Sequence, residues 1–285
     1  MVYPAKLQKV LIPGACQTSF VDEPVEEAAM RLSEKVALVT SSSPGICASI
    51  ARQLASEGAC VMICGRNATQ GLATVTRIRD RGGRASFTLS DTSVIADAQA
   101  AIDETIATYG RLDILFNHAN ARSSPDGALL EISETVWDRV VETTLKGTFF
   151  CCQYALPFLQ HSGSGTIINL IEQTPTQPPS QTRSATAICQ GGVMAMTRAI
   201  AQQFPAQHVT ANLIWAMPSS TALAAQAFPL NLATSIIYGP SEDPEAPARA
   251  FGDIAEAVMY LAINGETLHG ATLVVDAHFS ETSES

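Results

Sequence analysis

The apolar run GTIINLIE, residues 165–172, ends on a carboxylate, Glu172. At the mouth of an apolar pocket a carboxylate loses solvation. Its pKa then rises, and it becomes able to act as a general acid or base without a cofactor. Thr182, Arg183 and Ser184 follow on the segment leading into the next helical pattern and are candidate partners. The simpler reading, favoured by the residues alone, is a solvated loop glutamate. His118, just after the apolar run LDILFN (112–117), reads as a packed or surface imidazole rather than a base. The five histidines show no metal-ligand spacing, so no metal site is expected. Trp137 and Trp215 read as core or interface aromatics.

Such residues need a frame to position them. KVALVT (35–40), CVMIC (60–64), ASFTL (85–89), LDILFN, GTIINLI, VTANLIW (209–215) and ATLVVDA (271–277) are short apolar runs typical of buried strands. Segments of helical spacing alternate with them. These include CASIARQLASEG (47–58), closed by Gly58, and stretches near 68–81 and 93–109. A long helix is predicted from Ser133 to His161, another from Ser184 to Phe204, and a last one over GDIAEAVMYLAING (252–265). Ala216 to Ala250 reads as irregular. Continuously apolar strands alternating with helices predict an α/β fold, a doubly wound parallel sheet in a single domain. Ligands of such sheets bind at the carboxyl ends of the strands. The predicted boundaries are an N-terminal extension over 1–31, the α/β domain over 32–279 and a C-terminal tail over 280–285.

The chain has 285 residues, 46% of them hydrophobic, which suits one large domain with a sizeable core. Its net charge of −10, with no evident Lys/Arg cluster, argues against a nucleic-acid partner. No apolar run reaches membrane-spanning length. The N-terminal stretch is broken by Pro13 and Gly14 and makes a poor signal peptide. Seven cysteines without a CxxC pair read as reduced core residues, and a cytoplasmic location is expected.

The order and spacing of these landmarks resemble the short-chain dehydrogenase/reductase family over roughly residues 32–279. KVALVT with its Gly-bearing turn matches the family's first strand and phosphate loop. LKGTFFCCQYALP (145–157) and GGVMAMTRAIAQQF (191–204) match its two interface helices, and VTANLI and GATLVVDA complete the frame. The resemblance implies an NAD(P) site and an Asn-Ser-Tyr-Lys catalytic set, and the chain departs from both. The T-G-x-x-x-G-x-G loop reads Thr40-Ser41-Ser42-Ser43-Pro44-Gly45-Ile46-Cys47, and N-N-A-G reads Asn117-His118-Ala119-Asn120. Thr144, Glu172, Thr186 and Gln190 occupy the Asn, Ser, Tyr and Lys positions. A threonine hydroxyl has no proton-transfer pKa near neutrality, and glutamine cannot tune one. Of the five tyrosines, only Tyr238 lies in a segment able to fold over the pocket.

The resemblance also implies a remnant cofactor site of Gly45, Arg66, Asp91, Asn117 and Thr221, with Arg66 placed for a 2′-phosphate. The expectation from these departures is a pseudoenzyme binding a ligand or partner, with no NADP(H) or only weak NADP(H) binding. Two alternatives stand beside it. One is a cofactor-independent lyase, isomerase or cyclase using Glu172. The other is an NADP-dependent oxidoreductase with a non-standard active site. A homo-oligomer, dimer or tetramer, is expected through the two interface helices, where Gly191, Gly192 and Ala195 allow close approach.

Overall fold

A computed structural model describes residues 30–43, 45–119, 126–172, 183–204, 209–217, 235–238, 246–264 and 268–276. The expected N-terminal extension and C-terminal tail lie outside the described residues, apart from Met30 and Arg31. So do Pro44, Asn120, Thr182 and Thr221. Eight strands form one parallel sheet. They are β1 (Val36–Thr40), β2 (Cys60–Gly65), β3 (Arg84–Leu89), β4 (Ile114–His118), β5 (Gly165–Glu172), β6 (Val209–Met217), β7 (Ser235–Tyr238) and β8 (Thr272–Asp276). Their spatial order is β3-β2-β1-β4-β5-β6-β8-β7. Winding reverses between β1 and β4, so the switch point opens at the carboxyl ends of those two strands.

Helices α1 (Ile46–Ser56), α2 (Ala68–Arg79), α3 (Ile95–Tyr109), α4 (Glu134–Val140), α5 (Gly147–His161), α6 (Ser184–Gln203) and α7 (Ala246–Ile263) cover the sheet. The period of two along each strand divides the core into two layers. Ala37, Val39, Val61, Ile63, Ile114 and Phe116 face α1 and α7. Leu38, Met62, Cys64 and Leu115 face the other way, toward α3 and α5.

Two expectations are corrected. The segment from Ala216 to Ala250 is not wholly irregular, because it contains β7 and the start of α7. The strand SIIY has only four residues, too short a run to stand out by periodicity. The long helix expected from Ser133 to His161 is interrupted by a π-helical turn over Val141–Lys146. That extra-residue turn contains the buried Thr144. Such turns occur frequently at functional sites.

Candidate active site

The carboxyl ends of β1, β4 and β5 bring together three residues far apart in the chain. Cys47 lies in the first turn of α1, and His118 and Glu172 are the last residues of β4 and β5. His118 pairs with Leu170 in the parallel register, so Glu172 reaches just beyond it. His118 Nε2 lies 3.2 Å from Glu172 Oε1, with the side chains only 9% and 1% exposed. The pair is within ion-pair distance, and charge attraction holds it when the imidazole is protonated. On the other side of the ring, Nδ1 lies 3.2 Å from the Cys47 sulfur.

Burial opposes a charge on His118, but the adjoining Cys47 and Glu172 outweigh it and push its pKa up to about 10. Burial likewise pushes the Cys47 thiol up. The imidazole, with hydrogen bonds to Ser43 and Ser41, more than offsets this and leaves the thiol below its ordinary value. The result is a buried chain of three titratable groups, thiol, imidazole and carboxyl. Each occupies a position where the family resemblance implies a different residue.

One reading from the sequence is thereby corrected: Glu172 is not a solvated loop residue, because β5 carries it into the interior. His118 is packed, and it bridges two ionisable neighbours. Cys47 was overlooked as a chemical group. Its only signal was its place in the phosphate loop, where a glycine is the rule.

The remaining candidates divide between bracing and open polarity. Gln190 Nε2 donates to the Glu172 carbonyl oxygen at 2.8 Å and so fixes the end of β5 from α6. Thr144 Oγ1 and Thr186 Oγ1 are buried and make no hydrogen bond among the described residues. Such polar atoms are costly unless a ligand satisfies them. Asp126, missed in the sequence, anchors the start of α6. Its carboxylate accepts from the Ala185 N–H at 3.2 Å and the Thr186 N–H at 2.8 Å. Those two amides are among the orphan donors of a helix N-terminus, which an acidic side chain suits. The partner sits 59 and 60 residues upstream, so no local capping pattern reveals it.

The candidate cofactor residues are also placed. Gly45 caps α1 at φ 114°, a conformation that favours glycine, and no side chain caps the helix. Ser41 holds φ 103°, so the turn survives the loss of a glycine there at the cost of backbone strain. Arg66 follows β2, is 60% exposed, and reaches Asp91 only loosely at 3.9 Å. Asp91 accepts from the Ser93 backbone at 3.1 Å and hydroxyl at 2.7 Å. Asn117 is turned inward. Its amide donates to Asn169 Oδ1 at 2.9 Å, which joins β4 to β5, so the side chain supports the sheet rather than facing a ligand.

These residues fit a dinucleotide. α1 offers uncapped N–H groups to a pyrophosphate, and Arg66 is free enough to meet a 2′-phosphate. Tyr238 lies on β7, and its side chain is outside the described residues. No helix among the described residues is long and apolar enough to cross a membrane.

Comparison with known proteins sharpens this picture. Residues 35–230 match the short chain dehydrogenase family. A short chain dehydrogenase/reductase, astE, from Aspergillus oryzae is 31% identical over 265 residues, covering 89% of this chain and 98% of the relative. The 3-oxoacyl-[acyl-carrier-protein] reductase FabG of Staphylococcus aureus is 32% identical over 250 residues, covering 82% of this chain and 96% of the relative. A short chain dehydrogenase from Burkholderia cenocepacia, solved in complex with NADP, shares the fold. Its TM-score is 0.68 at 24% identity, with 87% of this chain and 98% of that one covered. These findings overturn two expectations, a pseudoenzyme and absent or weak NADP(H) binding. Relatives matched over most of their length are named as dehydrogenases and reductases. With residues 35–230 matching the family and one relative matched over 98% of its length, the chain belongs to the short-chain dehydrogenase/reductase family.

Proposed function

We propose that the protein is an NADP(H)-dependent oxidoreductase with a non-standard proton relay, interconverting an alcohol and a carbonyl. The observation that carries this reading is the contact of His118 with both Glu172 and Cys47 at 3.2 Å each. Three departures from the family pattern meet in one chain of contacts at the end of the sheet where ligands bind. The bound nicotinamide supplies or accepts the hydride. The residues of the chain manage the proton.

In the reducing direction, the proton held on His118 Nε2 passes to the Glu172 carboxylate and from it to the carbonyl oxygen as that becomes an alkoxide, leaving His118 neutral. His118 holds that proton up to a pH of about 10, so the relay is charged at neutrality. The process reverses for alcohol oxidation. Thr144 and Thr186, with their buried unsatisfied hydroxyls, supply hydrogen bonds to substrate oxygen without titrating. Gln190 keeps the end of β5 in place.

Arg66 selects the 2′-phosphate. The protein works as a dimer or tetramer through α5 and α6, whose outward faces include the half-exposed Phe149 and Ile188. A reducing compartment, the cytoplasm, suits the six buried free cysteines among the described residues.

Calorimetric titration with NADPH tests the cofactor assignment. Low-micromolar binding is expected. Arg66→Ala should weaken it by at least about tenfold, the loss of one charged hydrogen bond at roughly 1.5–3 kcal/mol, and leave NADH binding unchanged. No heat up to millimolar NADPH would contradict the proposal.

A further inference from the structure

The opposite end of the sheet carries a second feature that hydride transfer does not use. A cavity of about 630 Å³ opens where the chain enters β2 and β3. Arg52 of α1, Arg81 after α2 and Arg84 at the start of β3 line it, together with Ser33, Ser49 and Ser56. No acidic side chain among the described residues lines it. The sequence had shown no evident cationic cluster. Packing of α1 against α2 creates one, by adding Arg52 to the arginines of the RIRDRGGR stretch (77–84).

Among the described residues, no carboxylate lies within ion-pair distance of Arg52, Arg77, Arg81 or Arg84. The nearby Glu57 is held by Arg31, and Asp80, the C-cap residue of α2, forms no ion pair with these arginines among the described residues. Burial, and then Arg81 and Arg77, depress the pKa of Arg52, so these guanidinium groups repel one another. Arg77 is at home in the last turn of α2, where a cation suits the helix dipole. That explanation does not extend to Arg52, Arg81 and Arg84, which come from three different segments.

The floor of the cavity is apolar: Ala55, Ala59 and Ile78 are buried, and Met30 lies across Gly58. Gly58, at φ 95°, leaves no room for a side chain, since a Cβ there would come within 2.9 Å of Met30 Cβ.

We propose that this cavity is a second binding site, for a phosphate-bearing small molecule, distinct from the dinucleotide groove. Guanidinium groups meet phosphate through paired N–H donors, and the apolar floor takes an organic portion. The site lies at the amino ends of β2 and β3, so it can be filled while the groove is occupied.

Calorimetry at constant ionic strength tests this, with inorganic phosphate and hexyl phosphate as probes and NADPH saturating the groove. Both probes should bind with submillimolar affinity, and the double variant Arg52→Gln/Arg81→Gln should lose at least tenfold for each. Hexyl phosphate binding several-fold tighter would assign a phosphorylated organic ligand, and equal affinities would assign free phosphate. The same double variant should melt higher than the wild type in phosphate-free buffer, because it relieves repulsion. That readout also excludes misfolding as the cause of lost binding. Phosphate binding unchanged by the double variant, or no binding of either probe, would overturn the proposal. So would capture of an acidic peptide with no phosphate binding.

Discussion

Two carboxylates are buried at opposite ends of the sheet, and they are held in different ways. Asp113, at the amino end of β4, has a fully buried side chain and is saturated. Arg111 donates to it at 2.8 and 2.7 Å, the Val36 N–H donates at 2.9 Å, and Lys35 lies at 3.5 Å. Its partners are two cationic side chains and a backbone amide, and its role is to tie β1 to β4. Glu172, at the carboxyl end of β5, meets instead an imidazole that titrates. A buried charge with saturated partners holds a fold together. A buried charge shared with a titratable partner stands ready to move a proton.

Replacing each carboxylate is the strongest way to break this comparison. Asp113→Ala leaves Arg111 and Lys35 without their counter-charge and the Val36 amide without its acceptor. It should cost about 3–5 kcal/mol in urea unfolding, while turnover per folded molecule is retained. Glu172→Gln should cost clearly less stability, because His118 can release its proton when its partner is neutral. Equal losses in the two variants would erase the distinction.

The pH dependence sharpens the comparison further. The folded pKa of His118, about 10, lies above its ordinary 6.5. The stabilisation from its partners is therefore complete below about pH 6.5 and is lost as pH rises toward 10. Unfolding free energy should fall over that window in the wild type and much less in His118→Asn, as followed by urea titration.

The smallest effect concerns the loop beneath the site. Ser41→Gly restores a residue suited to φ 103°. It should raise stability by up to about 1 kcal/mol, the strain relieved less the extra freedom of the unfolded chain.

The frame of the molecule was legible because its information is local. Runs such as KVALVT and CVMIC are β-branched or apolar throughout, and each became a strand within a residue of its expected place. Glu172 stood out as a charged residue ending such a run. Its partner did not. His118 meets Glu172 only because β4 and β5 pair in a particular register, and Cys47 joins them only through the winding of α1 across β1. Asp126 and Arg52 escaped for the same reason, since their partners are contributed by packing and not by neighbouring sequence. Thr186 and Gln190, matched to the Tyr and Lys positions, carry no titratable group, and the proposed relay draws on Glu172, His118 and Cys47 instead.

The most direct test of the relay compares NADPH oxidation by the wild type, Glu172→Gln and Thr186→Val, using a vicinal diketone as the carbonyl probe. Glu172→Gln keeps size and hydrogen bonding and removes the titration. If Glu172 hands over the proton, its kcat should fall by roughly 10²–10⁴, while NADPH binding is preserved and Thr186→Val loses less than about tenfold. Wild-type turnover unchanged by Glu172→Gln, or no NADPH oxidation by the wild type, would contradict it.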